Sequence, residues 1–322
     1  EKSVFFAIIL SCKGAVMGDI KLFKINEKVE EIVGTSVQLE KHLQTIIEEN
    51  MEVFLGVKFL ATEYSTGKVH NGRIDSLGID ENNCPVIIEY KRSINENVIN
   101  QGLYYLDWLL DHKAEFKLLV MEKLGVEVCD NIEWSSPRLI CIANDFTKYD
   151  IHAVKQINRN IDLIKYKNYE EELLLLDMVH TNTVSHDYVN TGEVSSLERQ
   201  SKNKYKTAEE YLDEANEELK DRFYAVRDFI ISLGDDVQEK KLKNYFGFKR
   251  IKNFVCAEVH PKTNTILIYT KANINDVELK EGFTRDVTNI GHYGTGNLEI
   301  RFTNMKQFED IQKYIIKSYE IN

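Results

Sequence analysis

The feature that most constrains the fold is a short apolar run that ends in charged residues. Residues 85–91 read PVIIEYK. Proline is tolerated at the first position of a strand, and a continuous apolar run is typical of a strand buried on both faces. Residues 72–80, GRIDSLGID, predict a second strand, and the intervening residues 81–84, ENNC, have turn chemistry. The sequence therefore predicts a buried hairpin.

The charged residues at the end of this hairpin indicate a binding or catalytic site. The two-residue period of a strand places Glu89 and Lys91 on one face, and Asp75 can lie opposite them. Two carboxylates and an ammonium at the edge of an apolar core are costly unless something binds there. Mg²⁺ favours one or two carboxylates together with substrate phosphate and water. The alternative is that Asp75 is a turn residue and that Glu89 and Lys91 form a surface ion pair.

Helices are predicted on both sides of the hairpin. Residues 37–54 have an amphipathic pattern, with Glu48 and Glu49 near the end. On their own these two glutamates would form a solvated acidic patch. Residues 98–110 predict another helix, in which Gln101 and Tyr105 are four apart and share a face. The alternative there is a surface glutamine above a core tyrosine.

This order of elements resembles the PD-(D/E)xK nuclease superfamily. Asp75 matches its first acidic position, Glu89 and Lys91 match its Glu-x-Lys, and Gln101 with Tyr105 resembles the Gln-x-x-x-Tyr of the RecB-type branch. The nearest resemblance is to the mismatch endonucleases associated with the replication clamp and their uncharacterised relatives. It covers about residues 17–179.

The resemblance implies a role for each of these residues. The implied ligands of Mg²⁺, for which Mn²⁺ could substitute, are Asp75, Glu89, the carbonyl of Tyr90 and Glu49 (or Glu48). The implied catalytic residues are Asp75, Glu89, Lys91 and Gln101. Lys91 would orient the attacking water and Gln101 would position phosphate. The implied contacts to DNA are Arg73 and Tyr105, and Arg73 would either neutralise a phosphate or lock Asp75.

The length and composition of the chain limit the number of domains and the class of protein. A chain of 322 residues predicts two domains, and the 43% hydrophobic content is ample for packed cores. The net charge of −11 argues against indiscriminate coating of nucleic acid, although local basic patches set the contacts. The 5 cysteines show no Cys-x-x-Cys, which fits a reducing cytoplasm and offers no zinc site. No apolar run reaches 18 residues, so no membrane span is expected.

The domain organisation follows from changes in pattern along the chain. Residues 1–16 are interpreted as a leader or a remnant before a native start at Met17, with a short first strand or a targeting piece as the alternative. Residues 17–180 alternate strands with helices, which predicts an α/β class with a mixed central sheet. One of these strands is predicted at 116–120, FKLLV. Residues 181–204 are a polar linker, and 205–322 form a smaller α+β accessory domain.

The accessory domain contains a basic stretch. Residues 240–252, KKLKNYFGFKRIK, carry six basic residues and no acid, with three aromatic residues between them. Cations for phosphate and rings for base stacking predict a nucleic-acid surface, with Lys249, Arg250 and Lys252 as the contacts. The alternative is a strand with core aromatics and a solvated basic face. This half also resembles an uncharacterised domain family loosely labelled transport-related, a label that the lack of a membrane span argues against.

The sequence thus favours a Mg²⁺-dependent deoxyribonuclease of the cytoplasm. It would be an endonuclease acting on DNA in repair, restriction or defence against foreign DNA. Because superfamily members that cut both strands are often dimers, a homodimer is a further expectation of the resemblance. Two alternatives are a catalytically inactive DNA-binding protein that retains the nuclease fold, and an interaction protein whose carboxylates are only salt-bridged.

Overall fold

The computed structural model shows the α/β organisation that the sequence predicts: a mixed central sheet flanked by helices, and a separate β-rich domain at the C-terminal end. The residues that the structure describes are 5–8, 20–25, 29–35, 40–91, 98–170, 172–182 and 206–322. In these residues no helix is long and apolar enough to cross a membrane. The predicted linker, apart from its first two residues, lies outside the described part of the chain.

A small antiparallel sheet comes first in the chain. Its strands, in spatial order, are β1 (Phe5–Ile8), β2 (Lys21–Ile25) and β3 (Val29–Ile32). Within the segment interpreted as a leader or remnant, the described residues therefore form a strand that pairs with β2.

The central sheet contains seven strands in the described part of the chain. They are β4 (Gly34–Thr35), β5 (Val57–Ser65), β6 (Arg73–Asp80), β7 (Pro85–Lys91), β8 (Arg138–Ala143), β9 (Asn160–Tyr169) and β10 (Leu173–Asn182). The spatial order is β10-β9-β8-β7-β6-β5, with β4 beside β9. Strands β7, β8 and β9 run parallel, whereas β5, β6 and β10 pair antiparallel to their neighbours. The predicted hairpin is the β6–β7 pair.

Helices cover both faces of this sheet. They are α1 (Glu40–Glu49), α2 (Met51–Leu55), α3 (Gly67–His70), α4 (Val98–Asp111), α5 (Lys113–Leu124), α6 (Val126–Asp130) and α7 (Lys148–Lys155). Ile88 and Tyr90 of β7 pack in one apolar cluster with Leu43 of α1. Ile87 packs in another with Leu106 of α4. Because side chains alternate along a strand, Glu89 and Lys91 belong to the α4 side.

The structure corrects the strand predicted at residues 116–120. These residues lie inside helix α5, where Phe116 and Val120 are buried and Leu118 is 61% exposed. An apolar run of four or five residues is compatible with either element, and the four-residue spacing of the two buried side chains is that of a helix face. The helix predicted at 37–54 is likewise divided at Asn50 into α1 and α2.

The C-terminal domain is an antiparallel sheet with helices packed on it. Its helices are α8 (Ala208–Asp213), α9 (Glu217–Ser232) and α10 (Phe308–Glu320). Its strands are β11 (Gln238–Lys241), β12 (Phe246–Lys249), β13 (Asn253–His260), β14 (Thr265–Thr270), β15 (Thr284–Asp286) and β16 (Leu298–Phe302). Their spatial order is β11-β12-β13-β14-β16-β15. The predicted capping box at the start of α8 is confirmed, because Thr207 and Glu210 each accept the backbone N–H of the other.

Candidate active site

The hairpin opens at the end that carries the charged residues. The paired register of β6 and β7 runs from Ile79 opposite Pro85 to Ser76 opposite Ile88. Beyond Ser76 and Ile88, hydrogen bonds between backbone and side chains take the place of the backbone–backbone hydrogen bonds. The N–H of Asp75 donates to Glu89 Oε1 at 3.2 Å, and the N–H of Tyr90 donates to Asp75 Oδ2 at 3.0 Å. The two carboxylates are therefore fixed across the end of the hairpin, each by the backbone of the opposite strand.

Glu89 is the most unusual group of this site. Its side chain is 0% exposed, and within the described residues its Oε2 atom has no hydrogen-bond partner. Burial, followed by the negative charge of Asp75, raises the pKa of Glu89 to about 9, although the positive charge of Lys91 acts in the opposite direction. A buried carboxyl oxygen of this kind is stabilised by a proton or by a cation.

The donor set fits a small divalent cation. Asp75 is half-buried beside Glu89, and two carboxylates with a backbone carbonyl are the hard oxygen donors that Mg²⁺ favours. Among the described residues no group of three or more His, Cys, Asp and Glu side chains could hold a metal ion. Asp75 and Glu89 are the two carboxylates that the hairpin brings together, and backbone or substrate oxygens would have to complete a cation site.

The two upstream glutamates lie on helix α1. Glu48 accepts hydrogen bonds from Ser76 and Gln44, on the face of the sheet that packs against α1. Glu49 is exposed. The resemblance implied that Glu49 or Glu48 completes the metal site, and the structure groups neither of them with Asp75 and Glu89.

Helix α4 is tied to the start of β6 by its tyrosine. Gln101 Nε2 donates to the hydroxyl of Tyr105 at 3.3 Å, and the same hydroxyl accepts the N–H of Arg73 at 3.3 Å. Gly72 is required at this contact, because a Cβ there would lie 2.6 Å from the Tyr105 ring. The predicted pair thus shares a face, as expected, and it is anchored two residues before Asp75.

A cluster of exposed cations borders the same end of the sheet. Glu63 of β5 has its Oε2 3.6 Å from Arg73 Nε and accepts a hydrogen bond from Lys41 Nζ at 3.2 Å. The backbone of Glu63 is left-handed, with φ of 47°, inside a strand. A non-glycine residue in this conformation costs about 1–3 kcal/mol and is often found near functional sites. Arg73 remains 70% exposed, so its guanidinium is accessible to a phosphate.

The basic stretch of the C-terminal domain lies elsewhere. Lys249 is 2% exposed and its ammonium is 3.5 Å from Asp162 of β9, so it does not present a charge to solvent. Arg250 pairs with Asp236 at 2.6 Å. Lys252 Nζ donates to the carbonyl of Val53 at 2.7 Å. Lys249 is excluded as a phosphate contact by its burial and its contact with Asp162, whereas the phosphate contacts predicted for Arg250 and Lys252 remain predictions.

The aromatic residues of that stretch follow the alternative interpretation. Tyr245, Phe246 and Phe248 are all buried in the C-terminal domain. Phe246 and Phe248 belong to its main apolar cluster, together with residues of α9. The interleaved rings are therefore core residues rather than an exposed stacking surface.

Sequence reasoning missed one polar residue of the site. Gln44 is 4% exposed, and its amide donates to the Asp75 carbonyl at 2.8 Å and to Thr62 at 3.1 Å. The sequence signal for this role was the position of Gln44 among the apolar residues of α1, one residue after Leu43. A buried glutamine on such a stripe needs partners, and here one of them is the backbone of Asp75.

Comparison with known proteins gives four likenesses. Residues 208–322 match the family described as a domain of unknown function, DUF5655. An uncharacterised protein of Haemophilus influenzae is 27% identical over 285 residues, which is 86% of this chain and 92% of that protein. A repair endonuclease from Pyrococcus abyssi is 15% identical and covers 47% of this chain and 79% of its own, with a TM-score of 0.27. EndoMS in a complex with dsDNA is 19% identical and covers 51% of this chain and 65% of its own, with a TM-score of 0.24. TM-scores this low say nothing further about the activity of this chain.

Proposed function

We propose that this protein is a divalent-cation-dependent deoxyribonuclease that hydrolyses phosphodiester bonds within DNA. The observation that carries the proposal is the end of the β6–β7 hairpin. There the fully buried Glu89, whose Oε2 has no hydrogen-bond partner among the described residues, lies beside Asp75 and two residues before Lys91 on the same strand face. A salt-bridged surface site would not bury a carboxylate in this way.

Asp75, Glu89 and the backbone carbonyl of Tyr90 are the groups that would hold the cation. When bound, a divalent cation stabilises negative charge on a phosphate and makes a water molecule easier to deprotonate. Mg²⁺ is the proposed cation, with Mn²⁺ as a substitute, because the donors are all hard oxygens.

The remaining residues act on the water and on the phosphates. Lys91 lies on the same strand face as Glu89, and its role is to orient the attacking water and, in its uncharged form, to take the proton that this water gives up. The water oxygen attacks phosphorus, the bond to the leaving oxygen breaks, and that oxygen takes up a proton from the ammonium so formed or from solvent water. Gln101, held by Tyr105, positions the phosphate, and the exposed guanidinium of Arg73 neutralises a neighbouring one.

The biological setting is proposed on the same basis. An endonuclease with DNA as its partner would serve repair, restriction or defence against foreign DNA, in the cytoplasm. A homodimer would bring two such sites to the two strands of a duplex.

The experiment that tests the proposal is cleavage of circular and linear DNA by the full-length protein. Reactions contain Mg²⁺, Mn²⁺ or a chelator, and each is repeated with Glu89→Gln. We expect nicking or linearisation of the circle with either cation, and no cleavage with the chelator or with the variant.

Two results would argue against it. Binding of DNA without any cleavage by the wild type would favour the inactive DNA-binding protein. Cleavage that persists undiminished in Glu89→Gln would show that the activity belongs to another site or to a contaminant.

A further inference from the structure

The turn that joins β6 to β7 is inserted into the C-terminal domain. The side-chain oxygen of Asn82 accepts hydrogen bonds from the Tyr245 hydroxyl at 2.8 Å and from Asn253 Nδ2 at 2.6 Å. The neighbouring Glu81 accepts the N–H of Asn253 at 2.8 Å and pairs with Lys271 at 3.2 Å. The turn of the candidate catalytic hairpin is thus held by residues about 170 positions away in the sequence.

The turn also contributes to an apolar cluster of that domain. Cys84 is 0% exposed, and the other members of its cluster are all C-terminal: Leu242, Tyr245, Cys256, Tyr269 and Val287. Burial of both apolar and polar atoms of one turn is typical of a permanent contact rather than a transient one.

A second contact fixes the adjacent strands. Arg138, the first residue of β8, forms a buried ion pair with Asp162 of β9, and Lys249 approaches the same carboxylate at 3.5 Å. Arg138 also donates to the carbonyl of Ile251 at 3.2 Å. Each of the three charged side chains is at most 3% exposed. Lys249 and the Ile251 carbonyl belong to the C-terminal domain, so separating the domains would remove partners from buried charges, which is costly.

All these contacts lie at one end of the strands of the central sheet. Pro85 begins β7, and Arg138 and Asn160 begin β8 and β9, so this is the amino end of the three parallel strands. Glu89 and Lys91 lie at the opposite, carboxyl end of β7. The site and the docked domain are therefore at the two ends of one hairpin.

We propose that the C-terminal domain, which matches a family of unknown function, acts as an intramolecular clamp on the β6–β7 hairpin. Tyr245, just before β12, Asn253, at the start of β13, and Lys271, just after β14, form the docking surface, and the turn of residues 81–84 is the partner. By holding the turn, the clamp fixes the register of β6 against β7, and with it the reciprocal bonds between Asp75 and the end of β7. Asp75 and Asp80 are about 17 Å apart along the strand, a distance that a rigid hairpin spans.

Two backbone amides report this coupling directly. The N–H of Asp75 is bonded to Glu89, and the N–H of Tyr90 is bonded to Asp75. Their rates of hydrogen exchange measure how often the end of the hairpin opens, with no need for a cation, for DNA or for activity. Failure of the clamp and failure of the proposed nuclease activity are therefore separate results.

The test is amide hydrogen exchange in the full-length protein carrying Tyr245→Phe together with Asn253→Ala. These changes remove both side-chain donors to Asn82, whose acceptor is buried. We expect exchange at Asp75 and Tyr90 to become about tenfold faster or more, because an unsatisfied buried acceptor destabilises the docked state. Tyr245→Phe alone gives a smaller change of the same sign and serves if the double variant does not fold.

The matched control is Ile311→Val. This substitution creates a small cavity in the core of the same domain and leaves the contact to the turn intact. The clamp predicts unchanged exchange at Asp75 and Tyr90 in this control. Equal acceleration in the control would show general destabilisation, and unchanged exchange in both Tyr245 variants would show that the domain does not hold the hairpin. Either result overturns the proposal.

Discussion

Replacing Glu89 by glutamine tests the electrostatics of the site without using any DNA. Glutamine has the shape of a protonated glutamic acid, and its amide can donate towards Asp75 as a carboxylic acid would. The change therefore removes the ability to ionise and leaves the packing of the buried side chain almost unaltered. In the absence of a cation we expect Glu89→Gln to stabilise the protein.

The magnitude follows from the pKa of the wild-type group. Glu89 titrates near its ordinary value of 4.5 in the unfolded chain and near 9 in the folded protein. Between these values folding takes up one proton, so the free energy of unfolding falls by about 1.4 kcal/mol for each unit that the pH rises. Over the roughly 2.5 units from 4.5 to pH 7, the wild type loses about 3.5 kcal/mol that the variant keeps.

The assay is urea unfolding in a chelator at several pH values between 4.5 and 8. The stability contributed by neutral Glu89 is complete below pH 4.5 and is lost as the pH rises towards 9, because the folded-state pKa is raised. The two proteins should therefore have similar stabilities near pH 4.5 and diverge progressively above it. Adding Mg²⁺ should then stabilise the wild type and leave the variant unchanged.

The reasoning would be refuted by a variant that is no more stable than the wild type at pH 7 and shows the same pH dependence. This is the behaviour of an exposed ion pair between Glu89 and Lys91, whose loss costs at most about 1 kcal/mol. Glu49→Gln, a change at an exposed glutamate of α1, is the control, and it should alter stability by no more than about 0.5 kcal/mol.

Three further predictions concern neighbouring residues. Asp75→Asn should abolish Mg²⁺ binding in calorimetry, since it removes one of two carboxylate donors; unchanged heats would exclude Asp75 from the site. Arg73→Gln should weaken DNA binding in a chelator and lower the slope of log K against log salt by about 1, and an identical slope would exclude a phosphate contact. Asp162→Ala should lower the free energy of unfolding by about 3–5 kcal/mol in urea titrations, because it leaves Arg138 and Lys249 buried without their carboxylate; a loss below about 1 kcal/mol would contradict the structure of the buried ion group.

The elements nearest the site were the most predictable from sequence. Strand β7 occupies the segment that the sequence indicated, because a proline at its start and charged residues at its end mark both boundaries. Gln101 and Tyr105 share a helix face as their spacing required. Both features depend on local stereochemistry, which sequence patterns record well.

The features that sequence reasoning missed depend on distant partners. Residues 116–120 were predicted as a strand because a short apolar run carries no helical period, and the exposure of Leu118 depends on what packs beside it. Lys249 is predicted to contact nucleic acid because nothing local indicates that it meets Asp162, 87 positions earlier. Likewise, only the packing of α1 on the sheet turns Glu48 towards Ser76.

The most direct test of the central claim is cleavage of DNA by Lys91→Ala beside the wild type under single-turnover conditions. Folding, Mg²⁺ binding and DNA binding are matched beforehand by thermal unfolding and titration. If Lys91 serves the attacking water, the variant should cleave about 10²-fold more slowly or worse. Lys91→Arg, which keeps the charge but cannot give up its proton, should remain largely inactive if proton transfer matters. Cleavage by folded Lys91→Ala at the wild-type rate would contradict the assignment of this hairpin as a nuclease active site.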